Sequence, residues 1–273
     1  MSPVPAENGS IIQIPEKRSD EHRLVFVELM FAFAVTEIAT HLAELQDVSA
    51  SFRDKVPSYA HLLLSLAVVT LSWFGWRNSP SPGMKEQVRD FVSIPFFGLL
   101  IDVVLVILYY VLAHSVEVAN VDSDGKLPPA SAEPEAFWLI LIFGGYVLWD
   151  LLTDIFSPGC IEVEGSSSHW WTGVRAVPVS VFASVLAVVM TLVVWCLARN
   201  NVTWAQVLVL DIALLTVAVS FRLSKVAENW LRDWCGVRHL RAFEKTRELR
   251  LRHKVVMCLC AAGYIFAIVF VCC

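Results

Sequence analysis

The chain has 273 residues, of which 56% are hydrophobic and only 17% are charged, and its mean hydropathy is +0.61. Soluble domains carry about a quarter charged residues, so this composition excludes an ordinary soluble globular protein. The formal charge of −5 is small, and basic residues cluster in one segment only, which disfavours nucleic acid as a partner.

Apolar residues occur in blocks of about twenty, the length that a helix needs to cross roughly 30 Å of hydrocarbon. They predict an all-α, polytopic membrane bundle of about seven transmembrane helices, six plus one at the C-terminus. The predicted spans are 24–45, 59–76, 91–114, 137–156, 177–198, 203–221 and 255–273. The predicted units are a polar N-terminal segment 1–22 without a cleavable signal peptide, a six-helix domain 23–222, a basic helix 223–254 and a final span 255–273.

The first predicted span carries ionisable residues. Glu37 and His41 are four residues apart, so they share one helix face, and Thr40 lies beside them. An acid in the centre of a membrane helix costs roughly 2.5–3.5 kcal/mol on insertion scales. This polar stripe therefore indicates contact with water, an ion or another subunit.

Four further acids fall within the later spans, namely Asp102, Asp150, Asp154 and Asp211. Two interpretations stay open for them. They either pair with basic residues and fix helix packing, or they take part in proton transfer after burial has raised their pKa values.

The segment 223–254 is basic and amphipathic. Trp230 and Trp234 lie near helical spacing, and Arg and Lys occupy the opposite face. This pattern is typical of a helix that lies in the cytoplasmic membrane interface and binds anionic lipid. Assembly between subunits and docking of a cytosolic partner are the alternatives.

The loop charges predict the orientation. With a cytoplasmic N-terminus, seventeen Lys and Arg residues lie inside and four lie outside, as the positive-inside rule requires. The C-terminus and the acidic loop 115–135 then lie outside.

A local pattern in the first span resembles a known family. Arg23 is followed by Phe26, Glu28 and the run FAFAVT at 31–36. This is similar to the first helix of the endolysosomal potassium channel family and its bacterial relatives, which has an arginine, Phe-Ser-Asp and a run close to Val-Phe-Ala-Ile-Ala-Ile-Thr. Glu28 replaces the aspartate of that signature, and Val27 replaces its serine.

The resemblance continues into the second span and covers about residues 23–77. Pro57, Ser65 and Trp73 fall where the family tends to have proline, serine and an aromatic residue. The histidines that commonly follow are absent, since residues 75–77 read GWR. The family has six spans in each repeat, one fewer than we predict here.

The resemblance implies a homo-oligomer, a tetramer for single-repeat members, whose first helices line a central pore. The family's hydrophobic constriction falls on Phe33, Glu37 and Thr40, with His41 adjacent. A ring of Phe can gate a pore by dewetting, and a ring of Glu attracts cations. The resemblance also implies a structural ion pair between Arg23 and Glu28 at the cytoplasmic mouth.

We therefore expect an oligomeric cation channel for potassium or protons, in a bacterial inner membrane or an organelle membrane. Two other functions stay open. One is a membrane scaffold or a signalling or defence effector that acts through 223–254. The other is a proton-coupled transporter with a relay through Glu37, His41, Asp102 and Asp211. We expect no enzymatic activity, no cofactor and no metal site, because no ligand set has metal-site spacing in the sequence.

Overall fold

The computed structural model describes residues 18–77, 94–120, 127–152, 178–199 and 203–234. These residues form six α-helices and a short 3-10 helix, Glu117–Asn120, and none of them lies in a strand. The α-helices are α1 (Arg18–Asp47), α2 (Phe52–Arg77), α3 (Ile94–His114), α4 (Glu133–Asp150), α5 (Pro178–Ala198) and α6 (Trp204–Trp234). The predicted all-α class is confirmed for this part of the chain.

Four of the described helices are long and apolar enough to cross a membrane, so the chain is a multi-pass membrane protein. These segments are Phe52–Arg77, Phe96–His114, Val181–Ala198 and Trp204–Ala227. Helices α1 and α4 cover most of the first and fourth predicted spans. Each of these two helices contains at least three acidic residues. In α4 the acids are confined to the two ends, at Glu133, Glu135 and Asp150.

Side-chain hydrogen bonds cap the N-terminal ends of two of the membrane helices. Before α2, the backbone N–H of Asp54 donates to Ser51 Oγ, and Ser51 Oγ in turn donates to Asp54 Oδ2. Before α6, the backbone N–H of Thr203 donates to Gln206 Oε1. Both arrangements follow the pattern of a capping box, in which a hydroxyl residue and a residue three positions later satisfy the free groups at a helix start.

The six helices pack as a closed ring in the order α1, α3, α4, α5, α6, α2, and α2 also touches α3. One end of this bundle contains the C-terminal ends of α1, α3 and α5 and the N-terminal ends of α2, α4 and α6. Arg199 at the end of α5, for example, lies 3.2 Å from Glu133 at the start of α4. We call this the His61 end, after the residue buried near it.

The polarity of the bundle is partly reversed relative to a soluble protein. Large apolar side chains such as Leu63, Phe182 and Ile212 point outward, where lipid can solvate them. On α2, by contrast, the buried face is polar. Ser58, His61, Ser65 and Ser72 are all buried there, at helical spacing.

Helix α6 is continuous across residue 222, where we predicted the boundary of the transmembrane domain. The beginning of the predicted basic helix therefore extends the sixth span. The rest of that basic helix, the predicted seventh span 255–273 and the N-terminal segment 1–17 lie outside the described residues. Asp154 lies outside them as well.

Candidate functional site

The structure brings Glu37 and His41 of α1 together with His114, the last residue of α3. Glu37 Oε1 lies 3.1 Å from His41 Nε2 and 2.7 Å from His114 Nδ1. The two imidazole rings are 5.6 Å apart, centre to centre, and His41 Nδ1 also lies 2.8 Å from Glu44 Oε2. We call Glu37, His41 and His114 the α1 cluster. Its third member was not among the predicted site residues.

The predicted pore residues lie on one side of α1, because three or four residues separate them, but they differ in exposure. Phe33 is 58% exposed, and Thr40 is exposed with its hydroxyl donating to the carbonyl of Thr36. Glu37 is only 17% exposed and His41 only 4%, because both face α3 within the same chain. The α1 cluster thus lies at the edge of the open face that carries Phe33 and Thr40, on the side toward α3.

Glu28 lies on α1 opposite the end of α2. Its Oε1 is 3.7 Å from Nη1 of Arg77, and both side chains are substantially exposed. The side chain of Arg23 lies outside the described part of the structure, so its ion pair with Glu28 stays a prediction.

The remaining predicted acids have different surroundings. Asp102 is buried in α3. Asp150, at the end of α4, lies 2.6 Å from Lys225 Nζ and accepts a hydrogen bond from the hydroxyl of Ser184. Asp150 is therefore part of a buried ion pair, which matches the first of the two interpretations for the membrane acids. Asp211 belongs to a different group.

A second ionisable group lies inside the bundle and was not predicted as a unit. His61 of α2 is fully buried, and three carboxylates from three other elements surround its ring. Its Nδ1 is 2.9 Å from Glu117 Oε2 and 3.3 Å from Glu135 Oε1, while its Nε2 is 3.2 Å from Asp211 Oδ2. We call these four residues the His61 cluster.

Two donors hold Glu117 in place. The hydroxyl of Ser58 donates to Glu117 Oε2, and the backbone N–H of Ser131 donates to Glu117 Oε1, each at 3.2 Å. Burial alone would raise the pKa of Glu117, but the hydrogen bond and the charge of His61 outweigh it and hold that pKa below its ordinary value. Glu117 is therefore a carboxylate at neutral pH.

The His61 cluster has more negative than positive groups. One imidazole faces three carboxyl groups, and neither oxygen of Glu135 nor of Asp211 has a hydrogen-bond partner among the described residues. Buried polar groups of this kind cost free energy unless a partner compensates them. An additional proton or a metal cation would provide that compensation.

Both clusters offer donor atoms for a metal ion. In the α1 cluster, and in the set His61, Glu117 and Glu135, one ligand atom from each residue lies within 4.8 Å of the others. The second set is completely buried, whereas His114 of the first is exposed. The prediction of no metal site rested on spacing along the chain, which says nothing about such long-range groups.

Arg222, Tyr146 and Tyr109 form a further polar group, which lies away from the His61 end of the bundle. Arg222 donates a hydrogen bond to the hydroxyl of Tyr146 and stacks over its ring, and that hydroxyl is 2.8 Å from the hydroxyl of Tyr109. Gly75 makes room for the guanidinium, since a Cβ at this position would overlap it. The group ties α2, α3, α4 and α6 together.

Comparison with known proteins gives no match: no family model fits the chain, and neither a curated protein nor a solved structure is similar to it. The two clusters and the helices that carry them are therefore the features that bear on function.

Proposed function

We propose that the protein is an oligomeric cation channel, conducting potassium or protons, with α1 lining the pore. The observation that carries this proposal is the position of the α1 cluster, directly beside the uncovered face of α1. The loop charges favour a cytoplasmic N-terminus, and the His61 end of the bundle would then face outward.

The composition of α1 supports a contact other than lipid. Its predicted span contains Glu28, Glu37 and His41. Thr36 and Thr40 are exposed on it, and so is much of Glu44. Polar and ionisable residues at membrane depth face protein or a water-filled path. A second copy of the chain would cover this face and enclose such a path.

The side chains on this face suggest how the pore works. A ring of Phe33 side chains, one from each subunit, would form an apolar constriction that opens and closes by wetting. The Glu37 carboxylates behind that ring would attract cations. Several equivalent carboxylates near one axis would not all ionise independently, so they would titrate as a coupled set.

The test is ion flux through the purified protein in liposomes or planar bilayers. Glu37→Gln keeps the size of the side chain and removes its charge, so we expect it to change conductance or selectivity while assembly stays intact. Glu133→Gln is the matched control, since Glu133 is an exposed acid at the same end of the bundle. Unchanged currents in Glu37→Gln would remove Glu37 from the ion path, and a monomeric protein in native mass spectrometry would exclude the oligomeric pore.

A proton-coupled transporter is the second candidate. The contact between Asp211 and His61 favours it, because it places one member of the predicted relay in a buried group that can hold a proton. Glu37, His41 and Asp102 would be the other members. Substrate-dependent proton uptake into liposomes, without passive current, would favour this function over the channel.

A further inference from the structure

The His61 cluster has the composition of a cation site rather than of an internal salt bridge. An ion pair within the bundle needs one positive group for each negative one, as Asp150 and Lys225 illustrate. Here the single imidazole cannot balance three carboxyl groups. Glu135 is 0% exposed, its Oε1 points at His61 Nδ1 from 3.3 Å, and both of its oxygens lack a hydrogen bond among the described residues.

The spacing of the donor atoms fits a small ion. Tetrahedral metal sites with bonds of about 2.1 Å have neighbouring ligand atoms roughly 3.4 Å apart. The distances from His61 Nδ1 to Glu117 Oε2 and Glu135 Oε1 are 2.9 and 3.3 Å. All three side chains offer ligand atoms within 4.8 Å of one another, so small movements of these side chains would admit an ion between them.

The donor types narrow the class of ion. Calcium takes six to eight oxygen ligands and magnesium favours oxygen and water, whereas an imidazole nitrogen combined with carboxylates suits divalent transition metals such as zinc or manganese. Two carboxylates and a neutral imidazole also match a charge of +2.

We propose that the His61 cluster binds one divalent transition-metal ion through His61 Nδ1, Glu117 and Glu135, with Asp211 orienting the imidazole. In this arrangement the Nε2–H of His61 would donate to Asp211, whose Oδ2 lies 3.2 Å from Nε2. Carboxylates in this position behind a metal-bound histidine fix its tautomer and its ring orientation. The hydroxyl of Ser58 and the N–H of Ser131 orient Glu117 in the same way.

This site goes beyond the proposed channel function. Its donors come from α2, the 3-10 helix and α4 of one chain, while the proposed pore lies on α1. The ion would join three separate elements of the chain. Binding should therefore raise the melting temperature of the protein, because a ligand that binds only the folded state stabilises it.

The experiment uses the full chain, purified in detergent and stripped with a chelator. Zinc and manganese are added separately, binding is measured by calorimetry, and the metal content after desalting is measured by mass spectrometry. We expect one ion per chain. Glu135→Gln and Glu117→Gln should each lose at least about tenfold in affinity, and Asp211→Asn about 10- to 100-fold, the usual effect of removing a partner of a metal-bound histidine.

Two controls locate the ion. Glu133→Gln changes the same residue type two positions before Glu135, on the exposed side of α4, and should bind like the wild type. Glu37→Gln should also retain the ion, because it alters only the α1 cluster. Circular dichroism and the melting temperature without metal show whether each variant folds. If Glu135→Gln does not fold, Asp211→Asn and the absorption spectrum of bound Co²⁺ provide the readout.

Three results would overturn the proposal. The first is a wild-type protein that binds no metal in stoichiometric amount, which would mean that protons alone balance the cluster. The second is unchanged affinity in folded Glu135→Gln or Asp211→Asn. The third is loss of the ion in Glu37→Gln, which would assign it to the α1 cluster.

Discussion

The ion pair between Asp150 and Lys225 allows a quantitative prediction. Lys225→Met preserves most of the aliphatic side chain and removes the ammonium, which lies 2.6 Å from both carboxylate oxygens. Asp150 is 1% exposed and Lys225 is 20% exposed. Removing one partner of a buried pair costs about 3–5 kcal/mol, and the partial exposure of Lys225 favours the lower value. We expect a loss of about 3 kcal/mol, or roughly 100-fold in the folding equilibrium.

The second substitution separates charge from packing. Asp150→Asn added to Lys225→Met should recover most of the loss, because a neutral amide needs no opposite charge. Arg77→Met is the control, since it breaks an exposed ion pair with Glu28 at the same end of the bundle and should cost about 1 kcal/mol or less. Reversible unfolding in mixed micelles, followed by tryptophan fluorescence, measures all four proteins. The ion pair does not stabilise the fold as expected if Lys225→Met is no less stable than Arg77→Met, or if the double variant is as unstable as Lys225→Met.

Three further substitutions test other contacts. Gly75→Ala should displace the guanidinium of Arg222 and lower stability by about 1–3 kcal/mol through the loss of a charged hydrogen bond; wild-type stability in the same unfolding assay would contradict this. Glu117 has a lowered pKa in the folded state, so its contribution is present above the ordinary value of 4.5 and is lost as the pH falls further. Glu117→Gln should accordingly flatten the acid side of the stability profile, and an unchanged profile would argue against the contact with His61. Glu133→Gln removes an exposed pair with Arg199 and should change stability by less than about 1 kcal/mol; a larger loss would mean that this pair is more shielded than its exposure indicates.

The fold could be predicted from the sequence wherever the information is local. Runs of apolar residues identified the membrane helices, because hydrophobic length is a property of one segment. The spacing of Glu37 and His41 placed them on one face of α1, and the structure brings them within 3.1 Å. The seventh span lies outside the described residues and stays a prediction.

The His61 cluster could not be assembled in the same way. Glu117 is 56 positions from His61, and nothing in the sequence indicates that a loop acid folds back into the bundle. We interpreted Glu117 and Glu135 as part of an acidic outer loop. One local signal was available: Ser58, His61 and Ser65 form a polar stripe on an otherwise apolar helix. Such a stripe indicates a buried polar partner on a neighbouring helix.

The His61 cluster and the ion pair between Asp150 and Lys225 also restrict how α4 can move against α6. Glu135 and Asp150 are 15 residues apart on α4, about 22 Å along its axis, and Asp211 and Lys225 are 14 residues apart on α6, about 21 Å. Glu135 and Asp211 meet at His61, while Asp150 meets Lys225. The two helices therefore run in the same direction with matched anchor points at two depths.

Sliding or tilting α4 against α6 would break charged contacts at both anchor points, so these helices form a fixed frame. Among its described contacts, helix α1 has no second buried ion pair, because its pair between Glu28 and Arg77 is exposed. Charged contacts therefore hold α1 less firmly than they hold α4 and α6.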